Sequence, residues 1–132
     1  MKIMIADDEL NNRILLERIL SPYGECDFVI NGREAIEAFE LAMMDNKPYD
    51  LICLDIMMPE VDGQEALKTM RDMERGGRPD GKETIIFMVS ALDTEEQVVK
   101  AFFRGGCSDY LAKPITRDKV LDKLRQYRLI PE

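Results

Sequence analysis

Short apolar runs recur along this chain, and each is followed by a stretch whose apolar residues return every three or four positions. The runs are residues 2–6 (KIMIA), 26–30, 51–54, 84–89 and about 109–112. An unbroken run suits a strand buried on both faces, and the wider spacing suits one face of a helix. The first helical stretch carries Leu10, Ile14, Leu15, Ile19 and Leu20, and Pro22-Tyr23-Gly24 stops it. The second carries Ala35, Ile36, Phe39, Ala42 and Met43 after an Asn31-Gly32 turn, and the third, about 64–74, carries Leu67 and Met70. Thr94 with Gln97 reads as a capping box that opens a fourth helix, and Gly105-Gly106 closes it. Thr116 can cap a fifth, which carries Val120, Leu121, Leu124 and Tyr127.

Strands alternating with helices imply an α/β fold, a parallel sheet with helices on both faces. With 132 residues the chain is expected to form one domain over 1–132. Five units are too few for a closed eight-unit barrel, so the simplest architecture is a (βα)5 flavodoxin-like sheet in the strand order 2-1-3-4-5. Such sheets bind ligands at the carboxyl ends of their strands, near the switch point between strands one and three.

Composition narrows the function classes. The formal charge is -8 and the sequence pI is about 4.7. Binding to nucleic acid or to an anionic membrane calls for clustered Lys and Arg, so neither is expected. No apolar run approaches the ~20 residues of a membrane span and no leader is evident, so the expected location is cytoplasmic. Cys26, Cys53 and Cys107 are an odd number without CxxC spacing, which suits small buried residues in a reducing compartment. There are no histidines, which removes triad chemistry, histidine metal sites and a phosphohistidine on this chain.

The strand exits carry the polar residues that need explaining. Strand one ends in Asp7-Asp8, strand three in Asp55, strand four in Ser90 and strand five in Lys113. Each has an ordinary reading alone: Asp8 or Ser90 as a helix cap, Asp55 as a turn residue, Lys113 as a surface lysine. A parallel sheet brings all of them to one edge, however, and close carboxylate pairs repel by roughly 4 kcal/mol at an effective dielectric near 20. Raised pKa values or a divalent cation could offset that, and oxygen-only ligands suit Mg²⁺. Mg²⁺ with a carboxylate, a lysine and a hydroxyl is the equipment of phosphoryl transfer, in which an aspartate can be the nucleophile. The residues alone do not say which aspartate, or where the phosphoryl group comes from.

In Asp7-Asp8, LDIMMPEVDG around Asp55, Ser90-Ala91 and Lys113-Pro114, taken in order, the chain resembles a receiver domain of two-component response regulators, of the stand-alone chemotaxis-regulator kind. The resemblance covers essentially the whole chain. It implies Asp55 as phosphoacceptor, and Asp8, Asp55 and the main-chain carbonyl of Met57 as Mg²⁺ ligands, with Asp7 helping to hold the metal. It implies Ser90 as the hydroxyl that moves toward the phosphoryl group, Lys113 as the lysine that bonds it, and Tyr110 as an aromatic rotamer switch. The Lys113-Pro114 bond is implied to be cis. A sensor histidine kinase or histidine phosphotransfer protein is the implied donor. The implied readout is a downstream target, an output domain or a phosphorylation-driven homodimer at the face of helix four, strand five and helix five.

Three other readings stand beside this one. A Mg²⁺-dependent aspartate-nucleophile phosphohydrolase usually has a second aspartate two residues on, where this chain has Met57. A flavin-binding module would need a Ser/Thr/Gly-rich phosphate loop where Asp7-Asp8-Glu9 stands. A phosphorylation-independent scaffold is the third. Met57 and Leu92 are bulky apolar residues expected to limit water access to the phosphoryl group. The loop 75–83, with three glycines and a proline, is expected to be a mobile surface insertion or, through its Lys and Arg, a partner contact.

Overall fold

The computed structural model describes residues 1–78, 80–90 and 106–131. The helix expected from Thr94, and Leu92, fall outside the described residues. The elements are β1 (Lys2–Ala6), α1 (Leu10–Leu20), β2 (Glu25–Val29), α2 (Gly32–Met44), β3 (Leu51–Asp55), α3 (Gly63–Arg75), β4 (Ile85–Ser90), β5 (Asp109–Ala112) and α4 (Arg117–Gln126). All four strand pairings are parallel and the order is β2-β1-β3-β4-β5, as expected.

The period of two along a strand sends successive side chains to opposite faces. Met4, Ala6, Ile52, Leu54, Ile86 and Met88 therefore meet Ala35, Phe39 and Ala42 of α2 and Ala66, Leu67 and Met70 of α3. Ile3, Ile5, Leu51, Cys53, Phe87 and Val89 meet Leu16, Ile19 and Leu20 of α1 and Val120, Leu121 and Leu124 of α4. Fully burying a side chain such as Phe39 stabilises by about 1.5–3 kcal/mol, so each face supports itself. Of the cysteines, Cys53 and Cys107 are buried and Cys26 is half-buried, and all three are free.

Several boundaries moved, each for a local reason. β2 runs one residue earlier than expected because the Ile30 amide donates to Glu34 Oε1 (3.0 Å) while Asn31 Oδ1 caps α2 by accepting from the Glu34 amide (2.8 Å). Asn31-Gly32 is thus a helix start. β4 begins at Ile85 because the Thr84 amide is bound by Glu74 Oε2 (2.7 Å). Asp8 does not cap α1: the N-cap is Glu9, with no side-chain cap bond. Thr116 does cap α4, accepting from the Lys119 amide.

The loop after α3 differs from expectation. Arg78, expected to face outward, has a side chain only 4% exposed. Its Nη1 donates to Thr84 Oγ1 (2.6 Å) and Glu74 Oε2 (3.2 Å), and its Nη2 to Asp80 Oδ2 (3.2 Å). Nε lies 2.8 Å from Asp80 Oδ1 as an ion pair without a hydrogen bond. Arg71 joins from α3, donating from Nη1 to Glu74 Oε1 (2.6 Å) and from Nε to the Gly106 carbonyl (2.8 Å). The loop is pinned at its centre, and Arg78 is spent on the fold.

Two glycines position the site. A Cβ at Gly63 would collide with the main-chain oxygen of Asp55, and one at Gly32 with that of Val61. The starts of α2 and α3 thereby lie directly on the segment that leaves β3.

Candidate functional site

The parallel register delivers Asp7, Asp55, Ser90 and Lys113 to one edge. Ala6 pairs with Leu54, Asp55 with Val89 and Ser90 with Ala112, so the exits of β1, β3, β4 and β5 are level. Asp7 and Asp55 are buried and Asp8 is exposed, and ligand oxygens from all three carboxylates lie within 4.8 Å of one another. Lys113 Nζ stands 3.4 Å from Asp55 Oδ2 and 3.8 Å from Asp7 Oδ2. Its own amide donates to the Ser90 carbonyl (3.0 Å), which fixes the start of the lysine's reach.

The carboxylates are held by main chain. Asp55 Oδ1 accepts from the Met57 amide (3.2 Å), and Asp7 Oδ1 accepts from the Glu9 amide (2.9 Å). Asp7 Oδ2 is buried and has no hydrogen-bond partner among the described residues. Burial and the neighbouring Asp7 charge push Asp55 up to about 6, although Lys113 and the Met57 amide pull it down. Among the described residues, Lys113 is the cation paired with Asp7 and Asp55, and Asp8 has none. An orphaned buried oxygen in an all-oxygen cluster of excess negative charge fits a hard divalent cation, which takes carboxylates and keeps several waters.

Ser90 is buried at the end of β4, and Tyr110 is half-buried, packed beside the core that includes Met88 and Cys107. The Lys113-Pro114 bond is cis. Met57 is 61% exposed, so on its own it stands at the rim and forms no closed wall. Sequence reasoning missed Arg13, whose Nη1 donates to the Asp7 carbonyl (2.8 Å). One charged residue in the polar run Asn11-Asn12-Arg13 of a helical stretch gives no signal of such a contact. Gly63 was visible as part of the spacing after Asp55, but its reason is the collision described above.

The family model described as "Response regulator receiver domain" matches residues 3–125. The chemotaxis protein CheY of Bacillus subtilis is 31% identical over 130 residues, covering 95% of both chains. The sensory/regulatory protein RpfC of Xanthomonas campestris is 32% identical over 124 residues, which are 94% of this chain but 16% of that protein. Among solved structures, the receiver domain of the sensor histidine kinase PA1611 from Pseudomonas aeruginosa superposes with a TM-score of 0.74 at 25% identity, covering 96% of this chain and 95% of the other. That neighbour holds a magnesium ion in its active-site cleft. Receiver domains bind Mg²⁺ at an acidic site and take phosphate from histidine kinases. On the match over 3–125, the shared fold and the acidic cleft at the strand exits, this chain belongs to the response regulator receiver family, a family of phosphorylation-based signalling domains.

Proposed function

We propose that residues 1–132 act as one receiver domain that accepts a phosphoryl group on Asp55 from a phosphohistidine of a sensor histidine kinase or histidine phosphotransfer protein. The observation that carries this is the Asp55 carboxylate, main-chain-bound on one oxygen and 3.4 Å from Lys113 on the other, beside the orphaned oxygen of Asp7. Asp7, Asp8, Asp55 and the Met57 carbonyl would hold Mg²⁺. When bound, the ion offsets the excess negative charge and screens the incoming phosphoryl oxygens.

The chain's own residues do the rest. An Asp55 oxygen attacks phosphorus in line. The new O–P bond forms as the P–N bond to the partner's imidazole breaks, and the electron pair leaves with the imidazole. Lys113, already between Asp7 and Asp55, turns its ammonium to the acyl phosphate. Its amide, bonded to the Ser90 carbonyl, links that movement to β4. Ser90 then hydrogen-bonds a phosphoryl oxygen, and Tyr110 repacks against the core beside it. Water attack on phosphorus returns the free carboxylate. The chain thus catalyses only its own phosphorylation and dephosphorylation, as a switch biased by a local charge event. β5 and α4 belong to the face that a target, an output domain or a second copy would read. The three free cysteines, and the lack of any membrane-crossing helix among the described residues, agree with action in the cytoplasm.

The test is intact mass after incubation with acetyl phosphate and Mg²⁺. A single phosphoryl adduct is expected, lost with a chelator and absent in Asp55→Asn. An adduct that persists in Asp55→Asn, or none in the wild type, would overturn the assignment.

A further inference from the structure

Two of the three clustered carboxylates come from one short segment, residues 7–9, in which Asp7 and Glu9 are tied to each other and to their neighbours but the Asp8 side chain is not. The N-cap of α1, Glu9, makes no side-chain cap bond, and the first turn of the helix carries no acidic residue. Asp8 is exposed, and among the described residues its carboxylate has no hydrogen bond or ion pair. Like charge on Asp7 and Asp55 pushes it outward.

What closes the segment is Arg13, half-buried on the second turn of α1. Its guanidinium Nη1 donates to the Asp7 carbonyl (2.8 Å), and its amide donates to the Glu9 carbonyl (3.2 Å). Asp7 Oδ1 accepts from the Glu9 amide, and the Asp7 amide donates to the Val29 carbonyl (3.1 Å). Arg13 therefore grips both ends of the turn with Asp8 between them. A guanidinium is planar and rigid, so its grip fixes direction as well as distance.

We infer that Arg13 is the positioning residue of the Mg²⁺ site, holding the 7–9 turn so that Asp8 stays beside Asp7 and Asp55. This rests on the reading that the cluster holds Mg²⁺. The sign of the effect separates it from simpler roles. Arg13 is a cation bound to the main chain of Asp7, beside the cluster, so if it acted by charge alone its removal would tighten Mg²⁺ binding. If it acted only on the fold, its removal would lower the melting temperature and leave the affinity of the folded protein unchanged.

The experiment is calorimetric titration of the unphosphorylated full chain with MgCl₂, alongside thermal melts, for wild type, Arg13→Ala and Arg13→Lys. Arg13→Ala is expected to weaken Mg²⁺ about ten-fold or more, the usual size of losing a residue that orients a metal ligand. Arg13→Lys, whose ammonium can still donate to the Asp7 carbonyl, is expected to recover most of that. Equal or tighter binding in Arg13→Ala overturns the inference. If Arg13→Ala does not fold, Arg13→Met keeps the apolar stem while removing both the charge and the donors, and carries the same sign test, with equal or tighter binding again fatal. Absence of Mg²⁺ binding in the wild type brings down the metal reading itself, which is a separate result.

Discussion

At the amino-terminal edge of the sheet, the Glu74 carboxylate receives Arg71 on one oxygen and Arg78 and the Thr84 amide on the other. At the carboxyl edge, Asp7 and Asp55 share Lys113, and among the described residues Asp8 has no ion pair and Asp7 Oδ2 no hydrogen-bond partner. Both clusters have buried charges, and burying charge is costly unless it is paired. The first cluster is paired: two guanidiniums meet the carboxylates of Glu74 and Asp80. The second is short of positive charge, and Asp55 answers with a pKa pushed up to about 6. A balanced cluster is finished when the chain folds. An unbalanced one leaves room for something from outside, and in the function proposed above that is first a cation and then a phosphoryl group.

The contrast can be broken most forcefully at the balanced end. Glu74→Ala leaves Arg71 and Arg78 buried without their shared carboxylate. We expect a loss of about 3–5 kcal/mol in urea unfolding, with Mg²⁺ affinity of the folded protein unchanged. A loss below about 1 kcal/mol would mean that the arginines find water easily and that the loop is not pinned.

At the unbalanced end the same kind of change should stabilise. Asp55→Asn removes a charge that the folded state disfavours, so in Mg²⁺-free buffer above pH 6 it should gain on the order of 1–3 kcal/mol. The sign follows from proton counts. Between the unfolded value of 3.8 and the folded value of about 6, the native state binds more protons at Asp55 than the unfolded state does. This group's contribution to stability therefore falls as pH rises through that window. The difference between Asp55→Asn and wild type should grow from about pH 4 to about pH 6 and then level off. A difference that is flat in pH would contradict the raised pKa. Saturating Mg²⁺ should shrink it, because the ion stabilises the wild type by mass action.

The smallest expected effect lies beside the balanced cluster, where Arg71 also reaches Ser108. Tyr127 Oη on α4's C-cap donates to the Ser108 carbonyl (2.7 Å) and lies 2.9 Å from Asp109 Oδ2, tying the last helix to the entry of β5. Tyr127→Phe should cost about 1 kcal/mol, with phosphorylation by acetyl phosphate intact.

The balanced cluster was nearly invisible in the sequence, and the unbalanced one was plain. Asp55 announces itself because it ends an apolar run, and Asp7-Asp8 does the same on β1. The level strand exits then follow from the parallel order alone. The Arg71 network depends on contacts such as Thr84 Oγ1 to the Tyr49 carbonyl, 35 positions apart, which no periodicity encodes. The stretch around Arg78 reads as loose because glycine permits many backbones, and the sequence cannot tell that one buried arginine removes most of them. Caps divided in the same way. Asn31 and Thr116 lie beside the helices they start, whereas Asp8 looked equally good and was overruled by the turn that Asp7 and Arg13 close.

The contact of Gly32 with Val61, and of Gly63 with Asp55, also sets the terms for protein engineering. A designer who transplants the 56–62 segment into another scaffold would naturally carry Gly63 along, since it is adjacent. Gly32 sits in a different helix start and would be left behind, and any side chain there would displace the graft from beneath. The loop that leaves β3 is therefore a two-piece module, and its second piece is a position with no side chain at all.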